Sequence, residues 1–232
     1  MIFVFDIDDT LYDLMAPFET AYKECFANKT DIDCLTLFKR SRVHSDVVLM
    51  KEKEGLIPSK DCFYERMKLT CEEADIPFSR TECDRFEDIY RQAQKTICLY
   101  NEMKELLDYC VSHCTIAILS NGNHAGQYGK VDALHLHDYV DDDHIFVSGD
   151  IGFHKPERGA FEYVAKALNA KPDEMWYVGD TYESDILGAH NAGWHTIYIN
   201  HRLRDHDNNV ADITLTKRSE LLQIIVKLIS HT

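Results

Sequence analysis

The spacing of apolar positions changes along this chain. Short, nearly continuous apolar runs stand at Ile2–Phe5, Thr115–Leu119, Ile145–Val147, Trp176–Val178 and His195–Ile199, each followed by polar or glycine-containing residues. Runs of this length between turn residues predict buried strands. Between and after the later runs the period lengthens. Phe161, Val164, Ala165 and Leu168 recur at i, i+3, i+4, i+7, as do Leu221, Ile224, Ile225 and Leu228. That spacing predicts helices with one buried face. Strands alternating with helices predict an α/β fold: a Rossmann-like parallel sheet flanked by helices.

The stretch from about residue 15 to 95 breaks this alternation. Phe18, Ala21, Tyr22 and Cys25 make one helical stripe, and Phe86, Ile89, Tyr90 and Ala93 another. Thr81 with Asp84 resembles a capping box at the start of the second. No convincing strand falls here. The pattern predicts a small all-helical module, residues 15–95, inserted into a core made of residues 1–14 and 96–232. The polar segment Asn200 to Asp212 reads as a loop.

Composition narrows the function. With 232 residues, 45% of them hydrophobic, the chain can bury the core of one large domain or two smaller ones. A net charge of −15 repels nucleic-acid polymers and anionic membranes, so neither is expected as a partner. An anionic substrate would need a locally positive site. The eight cysteines include no Cys-x-x-Cys pair. The closest cluster, Cys110 to Cys114 with His113, lacks further ligands at zinc spacing, so buried thiols are expected there. The apolar start Ile2–Phe5 is too short for a leader's apolar region, and no run is long enough to span a membrane; a cytoplasmic setting is the expectation.

In open parallel sheets, ligands bind beyond the carboxyl ends of the strands. Four polar stretches fall there. Asp6-Ile7-Asp8-Asp9-Thr10 follows the first run; alternation sends Asp6 and Asp8 to one side if the chain stays extended, although a polar turn would look the same. Ser120-Asn121-Gly122 offers a hydroxyl, an amide and backbone N–H groups to an anion, and also suits an ordinary turn. His154-Lys155-Pro156 brings a compact positive charge, with Pro156 placed to open the next helix. Gly179-Asp180 with Asp185 supplies hard oxygen ligands of the kind magnesium takes, and equally an acidic helix start.

The order and placement of the four together resemble the haloacid dehalogenase-like superfamily. The pattern runs Asp-x-Asp-x-Thr at Asp6 to Thr10, a serine at Ser120, a lysine before proline at Lys155, and Gly179-Asp180 with the later Asp185. The flank Phe3 to Tyr12 and the stretch Asp185 to Trp194 strengthen the likeness. The helical insert resembles the cap of one subgroup.

The resemblance implies a magnesium-dependent phosphatase acting on a small phosphate ester. Asp6 would be the nucleophile, forming an aspartyl-phosphate, and Asp8 the general acid and base. Magnesium would be held by Asp6, Asp180 and the backbone carbonyl of Asp8. Asp185 would hold metal waters or position Lys155. Ser120, Lys155 and backbone N–H groups near Asn121 would bind phosphate oxygens. The dehalogenase branch lacks the acid two residues after the nucleophile; Asp8 stands there and favours phosphoryl chemistry. The cap would open to admit substrate and close to exclude water. Nucleoside 5′-monophosphates lead the candidate substrates, ahead of sugar phosphates and phosphoglycolate-like acids, and a monomer or homodimer is expected. The alternatives are a phosphotransferase or mutase on the same scaffold and, more remotely, a non-enzymatic aspartate-phosphorylated signalling protein. Asp141 to Asp143 reads as a solvated acidic loop, and Lys51 and Lys53 as a solvated cap face that could meet an anion.

Overall fold

Ile2–Phe5 forms β1, and the sheet grows outward from it on both sides. The computed structural model describes every residue except 205, 207, 208, 231 and 232, and the side chains of residues 46 and 53. Among the described residues the other strands are β2 (Thr115–Ser120), β3 (Ile145–Val147), β4 (Met175–Gly179), β5 (His195–Ile199) and β6 (Ile213–Leu215). Their spatial order is β3-β2-β1-β4-β5-β6, and every pairing is parallel. The first five coincide with the apolar runs. The sixth has three residues, one of them exposed, so it leaves no apolar run to read; it pairs Ile213 with Ile197.

Contacts divide the chain into residues 1–13 with 98–232, and residues 14–97. The second unit holds α1 (Met15–Cys25), α2 (Cys34–Lys53), α3 (Cys62–Glu73) and α4 (Arg80–Gln94). Its core is aromatic. The Phe18 ring sits 5.4 Å from Phe38 and 5.2 Å from Phe86, both edge-on, as aromatic quadrupoles prefer. The expected capping box is displaced by two residues. Ser79, not Thr81, caps α4: its hydroxyl accepts from the Glu82 N–H at 3.3 Å, and the Glu82 carboxylate accepts from the Ser79 N–H at 2.8 Å. Thr81 and Asp84 lie inside the helix. Lys51 is half-buried on α2, while the Lys53 side chain lies outside the described residues.

The first unit carries the sheet with α5 (Asn101–Cys110), α6 (His124–Ala133), α7 (Ser148–Ile151), α8 (Arg158–Ala167), α9 (Leu187–Asn191) and α10 (Leu221–Ser230). The α8 stripe Phe161, Val164 and Ala165 packs with Val4, Tyr177 and Trp194 in one buried cluster. Pro156 does not open α8; it precedes the cap residue Glu157, and the helix begins at Arg158.

The strand order creates the place for a site. The chain builds outward from β1 through β2 to β3, then returns to lay β4 on the opposite side of β1. Phe5 is in register with Ile118 of β2 and Val178 of β4. The carboxyl ends of β1, β2 and β4 therefore lie side by side at a topological switch point, where such sheets open a crevice.

Candidate active site

The loop after β1 is held in a fixed shape by its backbone. The Asp6 N–H donates to the Val178 carbonyl at 3.0 Å, continuing the strand pairing by one residue. The Leu11 N–H then reaches back to the Ile7 carbonyl at 3.0 Å. Asp9 sits at φ 60°, a left-handed turn that aspartate tolerates better than most residues. Asp6 is buried where β1 meets its neighbours, and Asp8 stands beyond the strand, bridging to Tyr12.

Lys155 joins the motifs. Its Nζ donates to Asp6 Oδ1 at 2.7 Å, to Asp185 Oδ1 at 2.8 Å and to the Tyr177 hydroxyl at 2.6 Å. Tyr177 in turn donates to the Leu119 carbonyl at 2.7 Å, which fastens the lysine to β2. Burial works against the ammonium, but the charges of Asp185 and Asp6 outweigh it and hold Lys155 well above its usual pKa.

Asp180 follows directly on Gly179 at the end of β4 and is buried. Asp185 folds back over that glycine. A Cβ on Gly179 would lie 2.3 Å from Asp185 Oδ2, so only glycine lets the carboxylate approach. Asp185 is further held by the Thr181 N–H at 3.1 Å and the Ser184 hydroxyl at 3.0 Å.

Ser120 ends β2, and its hydroxyl is buried with no hydrogen-bond partner among the described residues; the same is true of Thr10. A buried unpaired hydroxyl is costly unless something outside the chain satisfies it. The Asn121 side chain has a different task from the one its sequence suggests. Its Nδ2 donates to the Lys155 carbonyl and its Oδ1 accepts from the Lys155 N–H, both at 2.9 Å. The amide thus clamps the lysine's backbone with one of its two Nδ2 hydrogens.

Several residues at this site gave no signal in the sequence. Tyr177 is an aromatic in an apolar run, indistinguishable there from a core residue. Lys130, inside α6, places Nζ 2.7 Å from both oxygens of Asp8. Gln127 donates to the Asn121 carbonyl at 2.6 Å and to Asp8 at 3.4 Å. Arg202, in the loop after β5, ion-pairs with Asp9, the His201 ring lies 3.3 Å from the same carboxylate, and Arg218 donates to the Asp9 carbonyl.

The electrostatics divide the carboxylates. Burial, reinforced by repulsion from Asp185 and Asp8 and opposed by Lys155, pushes Asp6 up to about 7. Burial and the charges of Asp9, Asp185 and Asp6 push Asp180 well above the carboxylate range. Burial also raises Asp9, yet the His201 hydrogen bond and the Arg202 charge prevail and bring it down to about 2.

Crowded buried carboxylates of this kind suit a divalent cation. Asp6, Asp180 and Asp185 each offer an oxygen, all within 4.8 Å of one another. Asp9, Asp180 and His201 form a second such group. Each group already carries a fixed cation, Arg202 on Asp9 and Lys155 on Asp6 and Asp185, but the second mixes an imidazole nitrogen with its carboxylates. The all-oxygen group therefore fits a hard cation better.

The profile of the haloacid dehalogenase-like hydrolase family matches residues 1–193. The glyceraldehyde 3-phosphate phosphatase of Methanothermobacter thermautotrophicus is 27% identical over 221 residues, covering 91% of this chain and 92% of that protein. The pyrimidine 5′-nucleotidase YjjG of Escherichia coli is 34% identical over 124 residues, 53% of this chain and 54% of its own. Among solved structures, the HAD-hydrolase YfnB of Bacillus subtilis, bound to magnesium, aligns over 97% of both chains with a TM-score of 0.75. Its 21% identity makes it a likeness of fold.

Proposed function

We propose that this chain, which belongs to the haloacid dehalogenase-like hydrolases and is a phosphoric monoester hydrolase among them, cleaves a small phosphate ester through an aspartyl-phosphate on Asp6 and requires magnesium. The observation that carries the reading is the convergence of Asp6, Asp180 and Asp185 within 4.8 Å, with Lys155 bonded to the first and last.

Asp6 attacks phosphorus: a bond forms from its carboxylate oxygen while the bond to the ester oxygen breaks. Asp8 gives the departing oxygen a proton. Asp8 then takes a proton from water, whose oxygen attacks phosphorus and returns Asp6 as a carboxylate. Attack of one anion on another is opposed in a buried site. Asp6, Asp180 and the Asp8 carbonyl would hold magnesium, which would supply positive charge against this opposition. Lys155 fixes the orientation of Asp6 and carries a permanent charge beside it. The buried Ser120 hydroxyl and main-chain N–H groups near Asn121 receive phosphate oxygens. Asp185 orients Lys155 and closes over Gly179.

The names of the relatives support two candidate substrate classes, a phosphorylated three-carbon aldehyde and a nucleoside monophosphate. Phosphate release from a panel of sugar, nucleotide and organic-acid phosphates, with magnesium and with a chelator, tests the reading. We expect release only with magnesium, and none from Asp6→Asn. Near-normal turnover of an aryl phosphate by that variant, or full activity in excess chelator, overturns it. A phosphoenzyme that discharges only to an added sugar, never to water, would make the chain a phosphotransferase instead.

A further inference from the structure

We propose that Lys130 is a positioning residue for Asp8, holding its carboxylate in the direction needed for proton transfer, with Gln127 as its second support. The inference rests on the acid–base role of Asp8 in the proposed phosphatase mechanism.

Both residues come from one face of α6. Asn123 caps that helix, its side chain accepting from the Gly126 N–H at 2.8 Å. Gln127 and Lys130 are three residues apart and so project the same way. Both are buried, though polar. Lys130 Nζ lies 2.7 Å from each Asp8 oxygen, a symmetrical two-point grip. The Tyr12 hydroxyl donates to Oδ1 at 2.7 Å, and Gln127 Nε2 approaches Oδ2 at 3.4 Å. Donors from two separate parts of the chain, the β1 loop and α6, therefore act on one carboxylate. Through its 2.6 Å bond to the Asn121 carbonyl, Gln127 also ties this grip to the strand end that carries Ser120.

A purely structural ion pair is the competing explanation. It accounts poorly for a lysine here. Withdrawing an ammonium from water opposes folding, and a buried pair is often replaced by apolar residues without loss. A methionine matches the lysine stem in length but offers Asp8 no donor. A general acid and base, by contrast, works only over a narrow range of positions: a displacement of about 1 Å can cost on the order of 10²-fold in rate.

The test uses the full chain with magnesium and compares Lys130→Met, Lys130→Arg and Gln127→Met with the wild type. Each is assayed on an alkyl phosphate and on p-nitrophenyl phosphate, the latter as a single-turnover burst. For Lys130→Met we expect kcat on the alkyl ester to fall about 10- to 100-fold with KM changed less than about threefold. The nitrophenolate burst, whose leaving group needs no proton, should slow by less than about threefold. The phosphoenzyme should persist longer, since its hydrolysis uses the same carboxylate. Lys130→Arg should recover most of the loss, and Gln127→Met should show the same split more weakly. Equal losses on both esters, a loss confined to KM, or an unchanged alkyl rate would overturn the proposal. If Lys130→Met does not fold, the leaving-group split in Gln127→Met decides it by the same criteria, with Lys130→Arg expected near the wild type. A wild type that releases phosphate from no ester refutes the phosphatase reading; an active wild type with an indifferent Lys130 refutes only this inference.

Discussion

Two lysines grip two aspartates of the same loop, in different surroundings. The Lys155 side chain is 3% exposed, against partners Asp6 at 9% and Asp185 at 1%. The Lys130 side chain is 10% exposed and its partner Asp8 24%. The dry pair fixes charge: without Lys155, the buried Asp6 and Asp185 would face each other with little water to separate them. The wetter pair fixes direction, because solvent already moderates the charge of Asp8. In the proposed mechanism, one loop thus holds a nucleophile whose ionisation is controlled and a proton carrier whose orientation is controlled.

Removing Lys155 should produce the largest effect. Lys155→Met leaves two buried carboxylates and the Tyr177 hydroxyl without their common donor. We expect a loss of about 3–5 kcal/mol near neutral pH, measured by urea unfolding, together with loss of phosphatase activity. Lys130→Met should lower stability much less. If the two variants are equally destabilised, the division between a charge-fixing and a direction-fixing pair is wrong.

The dry site should also respond to pH. Asp6 is raised from 3.8 to about 7, so between those values the folded state keeps a proton that the unfolded chain has released. Metal-free stability should therefore decline as pH rises from about 4 to 7, by roughly 2–4 kcal/mol for this group. Asp6→Asn should remove that share of the slope, and so should magnesium, whose charge takes over the role of the proton. A slope that persists unchanged in Asp6→Asn would assign it to other groups.

Legibility in the sequence divides along the same line. The residues at strand ends are legible, because a polar run directly after an apolar one is unusual and its position in a parallel sheet is known in advance. Asp6, Ser120 and Asp180 stand at such places, whereas Lys155 lies beyond α7 and is legible only as the lysine before a proline in the ordered set of motifs. Lys130 and Gln127 are not legible, since polar residues on a helix normally face water, and only the packing of α6 shows that these face inward. Tyr177 is hidden for the opposite reason: an aromatic in a strand reads as core, and its hydroxyl's role depends on Leu119 and Lys155, distant in sequence. The strand β6 and the exact cap of α4 escape notice because each rests on two or three residues of ordinary polarity.

Asp9 is a third carboxylate of the loop, held by yet another means. Its guanidinium and imidazole partners bring it from 3.8 down to about 2, so its contribution is fully present above about pH 4 and disappears as pH falls toward 2. We expect Asp9→Asn to cost about 2 kcal/mol at pH 7 and less than about 0.5 kcal/mol at pH 2, by chemical unfolding at the two pH values. Because Asp9 touches neither lysine, the variant should keep the leaving-group behaviour of the wild type. A changed ratio of alkyl to aryl rates would mean that Asp9 helps to orient Asp8.

The smallest expected effect gives the sharpest separation of the two grips. Gly122 lies against Gln127: a Cβ there would stand 2.5 Å from Nε2 and 2.9 Å from Cγ. Gly122→Ala must therefore displace the Gln127 side chain, which is buried and has no easy path to solvent. The displaced amide gives up its bond to the Asn121 carbonyl and its approach to Asp8, while the Lys155 contacts are untouched. We expect at least about 1–2 kcal/mol of destabilisation, from one buried hydrogen bond lost, local crowding and a Cβ placed at φ 155°, which L residues rarely adopt. On alkyl phosphates kcat should fall by about threefold, a fraction of the proton-transfer contribution. The magnesium concentration for half-activity and the nitrophenolate burst should stay at wild-type values, since both report on the Asp6 side. If the metal requirement shifts instead, the two grips are mechanically coupled through Asn121, whose side chain clamps Lys155 while its carbonyl receives Gln127.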